Sequence, residues 1–174
     1  MSKINYPLEK IKGIAFDVDG VLSPSTIPMG ADGVPRRMVN IKDGYAMQLA
    51  VKHGLDLCII SGAVASDIEQ RYRALGLRDI FLGASVKIDV LRSWMEAKGY
   101  APEEVAFVGD DIPDLQCMHY AGLSVAPRDA AHENREIATY ITRVDGGYGV
   151  ARELLEEVLR VRGQWLDNST AFGW

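Results

Sequence analysis

The sequence predicts an α/β fold with a doubly wound parallel sheet, because strand-like and helix-like segments alternate along nearly the whole chain. Short apolar runs such as LDLCII are separated by longer amphipathic stretches such as residues 150–162. This alternation is typical of a parallel sheet that carries helices on both faces. Two acidic motifs directly follow such apolar runs. Because ligands of these sheets bind at the carboxyl ends of the strands, the motifs also predict where the functional site lies.

Each predicted strand is a short run of apolar, β-branched or otherwise strand-like residues. In chain order the strands are expected at residues 11–16, 55–60, 79–82, 105–108, 123–126 and 140–143. The helices are expected in the amphipathic stretches between the strands and after the last one. They are residues 45–52, 64–75, 86–98, 113–120, 131–138 and 150–162.

One segment, residues 23–40, interrupts this alternation. Its two short extended stretches, STIPM and VPRRMV, are joined by GADG, a sequence typical of a β-hairpin turn. No internal repeat, linker or low-complexity tract is present in the sequence. We therefore predict a single domain over residues 1–174 with a protruding hairpin at about residues 23–40 and no separate cap domain.

Composition excludes several classes of protein. Of the 174 residues, 48% are hydrophobic and 25% are charged, and the formal net charge is −5. These values are typical of a globular protein, and the absence of a basic stripe argues against nucleic acid as a partner. No apolar run reaches the roughly 20 residues that span a bilayer, so we expect a cytoplasmic protein. Cys58 and Cys117 are expected to be reduced.

The first acidic motif, AFDVDG, brings Asp17 and Asp19 to the end of the first strand, where Gly20 permits a tight turn. Both residues could be turn or cap residues, since Asp is common at strand ends. The alternative is a divalent-metal site, because a cation removes the repulsion between paired carboxylates.

The second acidic motif, VGDDIPD, supplies Asp110, Asp111 and Asp114 at the end of the fourth predicted strand. Helix capping explains Asp114 as well as a functional role does. For Asp110 capping is the weaker explanation, because two acidic clusters at neighbouring strand ends would repel each other without a cation. Hard oxygen ligands predict magnesium rather than zinc.

Three further residues suggest that an anion binds beside these carboxylates. Ser61 and Gly62 follow LDLCII and offer a hydroxyl and backbone amides, a suitable cradle for phosphate oxygens, although Ser-Gly after a strand is also an ordinary turn. Lys87 opens a predicted helix, where the helix dipole does not favour a cation. A surface lysine is the usual explanation, but a nearby anion would account for this position.

Taken together, AFDVDGV, IISG, Lys87 and VGDDIPD resemble the haloacid dehalogenase superfamily of phosphotransferases in order and spacing. The resemblance implies the haloacid dehalogenase fold, which is Rossmann-like. It implies that Asp17 is the nucleophile that forms an aspartyl-phosphate and that Asp19 is the general acid and base. It further implies that Mg²⁺ is held by the Asp17 carboxylate, the Asp19 backbone carbonyl and Asp110.

The same resemblance assigns the remaining motif residues. Ser61, Gly62 and Lys87 would bind the transferring phosphoryl group, as anion-binding groups do in phosphoryl transfer. Asp111 and Asp114 would support the site from behind, and Asp114 would orient Lys87.

Nearly the whole chain resembles the family of 3-deoxy-D-manno-octulosonate 8-phosphate phosphatases. The matching segments are FDVDGVLS, the hairpin, VNIKDGYAMQLAVKHGL, GASVK, VGDDIPD and GLSVAPRDA. The resemblance implies a magnesium-dependent homotetramer in which hairpins meet at the centre and a neighbour helps to close each site. Its substrate would be a small sugar-acid phosphate.

Two positions depart from the pattern of that family. Ala63 and Tyr148 stand where many members carry a basic residue, so another sugar-acid phosphate remains an alternative substrate. A non-catalytic assembly module is a further alternative, against which the retained Asp19 argues. Four residues are candidate substrate contacts, although the basic ones fit a solvated surface equally well: Arg36, Arg37, Lys42 and Tyr148.

The C-terminal tail, residues 163–174, is rich in large apolar side chains. It contains Trp165, Leu166, Phe172 and Trp174, more aromatic surface than a frayed terminus should expose. These rings either pack on their own subunit or reach an adjacent subunit and help to close its site.

Overall fold

A single parallel sheet of six strands forms the centre of the protein, with the order β3-β2-β1-β4-β5-β6. The structure is a computed structural model, and it describes residues 2–167 and 171–173. The strands are β1 (Gly13–Phe16), β2 (Asp56–Ile60), β3 (Asp79–Phe81), β4 (Val105–Val108), β5 (Leu123–Ala126) and β6 (Tyr140–Ile141). The predicted fold class is thereby confirmed, with each strand at its predicted place in the chain.

Six α-helices connect or follow these strands. They are α1 (Ile41–Lys52), α2 (Ser66–Ala74), α3 (Lys87–Lys98), α4 (Leu115–Tyr120), α5 (His132–Ile137) and α6 (Val150–Val161). Helix α1 begins four residues before its predicted start at residue 45. The cause is Asn40, whose side-chain oxygen accepts hydrogen bonds from the backbone N–H groups of Lys42 (2.9 Å) and Asp43 (3.2 Å) and so caps the helix.

Helices cover both faces of the sheet. One buried cluster contains Phe16 and Ile59 of the sheet with residues of α1, α2 and α6. The other contains Phe107 and Ile60 with residues of α3 and α4. Neighbouring strand residues thus contribute to opposite cores, and the central strands are apolar throughout because both of their faces are buried.

The register of the three central strands determines where the functional residues meet. Phe16 of β1 lies beside Ile59 of β2 and Val108 of β4. From β1 the chain continues to β2 and β3 on one side of β1, and it then returns to form β4 on the other side. The direction in which strands are added therefore reverses between β1 and β4. Such a reversal opens a crevice at the carboxyl ends of the strands.

The predicted hairpin is present as an antiparallel loop, but its pairing is short. One bridge joins Met29 and Pro35, and the adjacent backbone hydrogen bonds run from Gly30 N to Val34 O and from Arg36 N to Pro28 O, both 2.8 Å. Proline has no N–H group to donate, so Pro28 and Pro35 limit the length of the ladder.

The described part of the tail packs on its own chain. The rings of Trp165 and Tyr45 meet edge to face with centroids 6.1 Å apart, and the Arg152 guanidinium lies 4.5 Å from the Trp165 ring. The Tyr45 hydroxyl also donates to the Ala171 carbonyl. Phe172 is 82% exposed. Residues 168–170 and Trp174 lie outside the described residues.

Both cysteines, Cys58 and Cys117, are buried free thiols. Among the described residues, no helix has the length and apolar character needed to cross a membrane.

Candidate active site

A cavity of about 480 Å³ opens at the carboxyl ends of β1, β2 and β4. All residues predicted to be catalytic, phosphate-binding, metal-binding or supporting line this one cavity. They are Asp17, Asp19, Ser61, Gly62, Lys87, Asp110, Asp111 and Asp114. The parallel register explains this convergence, because Asp17 follows β1, Ser61 follows β2 and Asp110 lies just beyond β4.

Three carboxyl groups form the floor of the cavity. One oxygen each from Asp17, Asp110 and Asp114 lies within 4.8 Å of the others. Burial, followed by the nearby charge of Asp114, raises the pKa of Asp17 to about 7. Burial and the charge of Asp17 raise the pKa of Asp110 to about 8. Two groups that both resist ionisation next to each other indicate a place where a cation belongs.

Lys87 provides the positive charge within this group. Its ammonium nitrogen lies 3.0 Å from Asp17 Oδ2 and 2.7 Å from Asp114 Oδ1, and its side chain is only 8% exposed. Burial alone would lower the pKa of Lys87, but the charges of Asp17 and Asp114 outweigh it and raise that pKa above its usual value. One ammonium cannot balance three carboxylates, so the residues present fit an additional divalent cation.

Asp114 supports the other groups, although its oxygens are close enough to share a cation. Its Oδ1 accepts from Lys87, and its Oδ2 accepts from the backbone N–H groups of Asp110 (3.0 Å) and Asp111 (3.4 Å). Both oxygens are therefore occupied. The side chain is fully buried. The role that the resemblance implies for it, orienting Lys87, remains a prediction that this contact favours. Asp17 and Asp110 have the oxygens that are better placed to hold Mg²⁺, a cation that prefers hard oxygen ligands.

The Asp19 carboxylate pairs with an arginine of the hairpin. Its two oxygens accept from Arg37, at 2.7 Å to Nε and 2.9 Å to Nη2, in the bidentate arrangement that gives Arg–carboxylate pairs their strength. The hydrogen bonds that Arg37 donates to Asp19 raise the pKa of Arg37. The side chain of Asp19 is thus held by the base of the hairpin, and its predicted contact with a metal is through the backbone carbonyl instead.

The two neighbouring arginines of the hairpin differ in their surroundings. Arg37 has a side chain that is 10% exposed, whereas that of Arg36 is 59% exposed and pairs with Asp32 at 2.5 Å. Adjacent residues of an extended segment point to opposite sides, which explains why Arg37 reaches Asp19 and Arg36 does not. The sequence left both arginines as candidates, because nothing in it determines the register of the hairpin.

Ser61 lies at the opposite wall from the second acidic motif. It is 2% exposed, and its oxygen accepts the backbone N–H of Ala63 at 3.2 Å. A hydroxyl that accepts one hydrogen bond still has its own hydrogen to donate. Together with Gly62 it gives the cavity hydrogen-bond donors across from Asp110.

Lys42 and Tyr148 are brought together, but at a different cavity. They line a space of about 280 Å³ that also includes Arg143 and Arg152, and none of its lining residues lines the cavity of Asp17. Tyr148 is 60% exposed. For Arg36, Lys42 and Tyr148, contact with a substrate remains a prediction.

Two glycines allow backbone segments to approach closely in the site, and glycine is visible in the sequence. A Cβ built on Gly20 would lie 1.9 Å from Asp110 Oδ2, and one built on Gly146 would lie 2.0 Å from the Gly20 carbonyl oxygen. Gly20 was expected to form a turn, whereas the need for Gly146 was missed. The doublet GG at residues 146–147 was the available signal, since paired glycines often mark a close approach of two backbones.

Exposed apolar side chains surround the mouth of the cavity. Val64, Val86 and Ile112 are 84%, 49% and 53% exposed, and each is next in sequence to a residue that lines the cavity. These three side chains thus lie beside a cavity that is lined mainly by polar and charged residues.

Comparisons with known proteins give the family. A model of the haloacid dehalogenase-like hydrolases matches residues 78–154, which include Lys87 and VGDDIPD. The chain is 38% identical over 156 residues to the 3-deoxy-D-manno-octulosonate 8-phosphate phosphatase KdsC of Escherichia coli K12, covering 90% of this chain and 83% of the relative.

Solved structures agree with this similarity. The phosphatase of the same description from Yersinia pestis superposes with a TM-score of 0.89 at 33% identity, covering 95% of this chain and 89% of that one. The phosphatase from Moraxella catarrhalis, solved with magnesium, phosphate and KDO, gives a TM-score of 0.84 at 31% identity, with 88% of each chain covered.

The close approach of Gly20 to Asp110 predicts that a methyl group added at Gly20 disturbs the metal site. Gly20→Ala should displace the Asp110 carboxylate and weaken the binding of Mg²⁺ by about tenfold or more, as changes beside metal ligands do. Isothermal titration calorimetry with Mg²⁺ alone measures the effect. The matched control is Gly54→Ala, because Gly54 has a similar φ of 81° but nothing within 4 Å of an added Cβ. Equal affinities in the two variants would contradict the geometry described for Asp110.

Proposed function

The chain belongs to the family of 3-deoxy-D-manno-octulosonate 8-phosphate phosphatases within the haloacid dehalogenase-like hydrolases, and from this premise we propose that it is a magnesium-dependent phosphatase of that sugar-acid phosphate. The products are the free sugar acid and inorganic phosphate. The enzyme is a phosphoric monoester hydrolase.

The observation that carries this proposal is the cavity in which a buried Asp17 touches Lys87 beside Asp110. A phosphate monoester is an anion, so its site needs positive charge beside a nucleophile. Lys87 supplies this charge at 3.0 Å from the Asp17 carboxylate, and Ser61 and Gly62 add hydrogen-bond donors to the same cavity. This set of groups suits phosphoryl transfer, in which catalysis consists mainly of positioning and charge stabilisation.

Asp17 attacks phosphorus, and the P–O bond to the sugar breaks. An aspartyl-phosphate forms on Asp17, and water then attacks its phosphorus to regenerate the carboxylate and release phosphate. Lys87 and Ser61 stabilise the charge on the phosphoryl oxygens in both steps. Asp114 holds Lys87 in place through its 2.7 Å contact.

Asp19 moves the protons. It donates one to the leaving sugar oxygen in the first step and takes one from the attacking water in the second. Its bidentate pair with Arg37 fixes where the carboxyl group lies. Protonation puts a hydrogen on one of these two oxygens and makes it a weaker acceptor, so the hydrogen bond from Arg37 to that oxygen weakens while Asp19 holds the proton.

The Asp17 carboxylate, the Asp19 backbone carbonyl and Asp110 would hold Mg²⁺. The chemistry that Mg²⁺ supplies when bound is neutralisation of charge on the phosphoryl oxygens and the clustered carboxylates. Asp111 and Asp114 support these ligands from the same loop.

A phosphatase of another sugar-acid phosphate is the second candidate, favoured by Ala63 and Tyr148. Neither side chain carries a positive charge that could form an ion pair with a substrate carboxylate. Tyr148 lies instead beside Lys42, Arg143 and Arg152 in the neighbouring cavity. Phosphate release from a panel of sugar-acid phosphates decides between the two, and a preference for neutral sugar phosphates would contradict both.

We further propose a single-domain chain that assembles as a cytoplasmic homotetramer. The hairpin exposes Met29 by 66%, Met38 by 49% and Val39 by 50%, more apolar surface than an isolated ribbon tolerates in water. Packing against copies of itself would cover this surface. A neighbouring subunit would also cover the exposed apolar side chains beside the cavity, over which the described residues form no separate cap domain.

Replacement of the proposed nucleophile tests the chemistry. Asp17→Asn should reduce kcat by more than about 10³-fold, because the amide is a poor nucleophile, while the fold is retained. Asp89→Asn is the control, since it makes the same change of charge at an exposed position on α3. Phosphate release is measured with protein free of contaminating phosphatase. Near-native activity of Asp17→Asn would rule out the covalent mechanism.

A charge placed on the hairpin tests the assembly. Met29→Asp should dissociate the tetramer at micromolar concentration, because it puts a carboxylate into the apolar contact between hairpins. Val161→Asp is the control, since Val161 is 42% exposed on α6, away from the hairpin. Light scattering coupled to gel filtration gives the masses. A monomeric wild-type protein would refute the proposed assembly.

A further inference from the structure

Asn134 is a fully buried polar residue with no part in the chemistry described above. It lies in α5 and has an exposed fraction of 0%. Its amide nitrogen is 3.3 Å from the sulfur of Met118, a member of the apolar cluster on that face of the sheet. A buried amide in apolar surroundings costs free energy unless its hydrogen bonds are made.

One of those hydrogen bonds reaches the loop of the active site. Asn134 Nδ2 donates to the Asp111 carbonyl at 2.9 Å. The backbone N–H of Ala131, just before α5, donates to the Asp110 carbonyl at 2.8 Å. Two consecutive carbonyl groups of the VGDDIPD loop are thus held from the side of α5.

The opposite side of the same loop is held by Asp114. Its Oδ2 accepts the N–H groups of Asp110 and Asp111, so the N–H and C=O groups of both residues are all engaged. The backbone of Asp110 is therefore fixed from two directions. Its carboxylate is left to face Asp17 across the cavity.

The amide oxygen of Asn134, unlike its nitrogen, makes no hydrogen bond with the active-site loop. Asn134 Oδ1 is buried without a hydrogen-bond partner among the described residues. An apolar side chain at this position would avoid the cost of desolvating that oxygen. The sequence retains an asparagine at a position where an apolar residue would suit the surroundings better, so the bond to Asp111 is the feature that needs an explanation.

We propose that Asn134 is a positioning residue for the metal site, which acts through the Asp111 carbonyl to hold the Asp110 carboxylate in the direction of a bound Mg²⁺. The inference rests on the proposed function, because it assumes that Asp110 is a metal ligand. It assigns to α5 a role beyond packing, as the second support of the loop besides Asp114.

Substitution by an apolar residue separates positioning from stability. Asn134→Leu keeps the branching at Cγ but cannot donate to Asp111. The Kd for Mg²⁺ alone, measured by isothermal titration calorimetry without substrate, should rise by about 10- to 100-fold, the usual range for residues that orient metal ligands. The melting temperature of the metal-free protein should stay the same or rise.

Ser124→Ala is the matched control. Ser124 is also buried, and its hydroxyl donates to the Ile137 carbonyl at the other end of α5, at 3.0 Å. Its loss should lower the melting temperature and leave the Kd for Mg²⁺ unchanged. Asn134→Leu is therefore expected to raise the Kd for Mg²⁺, whereas Ser124→Ala is expected to lower the melting temperature.

A wild-type Kd for Mg²⁺ in Asn134→Leu, or equal weakening in both variants, would overturn the inference. Should Asn134→Leu fail to fold, Asn134→Ala provides the same test, because it also removes the donor. Failure of the inference leaves the phosphatase activity of the wild-type protein intact, whereas a wild-type protein that does not bind Mg²⁺ would refute the proposed function itself.

Discussion

The site depends on one electrostatic constraint, which is the crowding of carboxylates at the meeting point of β1 and β4. Asp17, Asp110 and Asp114 lie within 4.8 Å of one another, and only Lys87 among the lining residues offsets them from within. Burial makes their ionisation more costly still, as the raised pKa values of Asp17 and Asp110 indicate. The arrangement is favourable only when cations complete it, which links the metal and the anionic substrate to the same groups.

The fold maintains this crowding by fixing the backbone of the two acidic loops. The parallel register brings the ends of β1 and β4 together, and Gly20 lets the first acidic loop approach Asp110 more closely than any other residue would permit. Asp114 and α5 hold the second loop from two sides. Each carboxylate thus has little freedom to move away from its neighbours.

Much of this could be predicted from the sequence, because apolar runs that end in Asp-rich or Ser-Gly motifs identify both the strands and their functional ends. Features that depend on contacts between residues far apart in the sequence could not be predicted. The register of the hairpin decides that Arg37 rather than Arg36 binds Asp19. The tail packs through contacts of Trp165 with Tyr45 and Arg152, residues far away in sequence. Nothing local distinguishes Asn134 from a surface residue of a short polar helix, since its burial arises from the packing of α4 and α5.

The number of protons released when Mg²⁺ binds tests the electrostatic account most directly. With pKa values of about 7 for Asp17 and about 8 for Asp110, the metal-free site is partly protonated at neutral pH. Ligands must lose their protons to bind a metal. Titration calorimetry in buffers of different ionisation enthalpy should show release of about one to two protons per site near pH 7 and almost none near pH 10, where both groups are already ionised. Binding of Mg²⁺ near pH 7 without proton release would contradict the account.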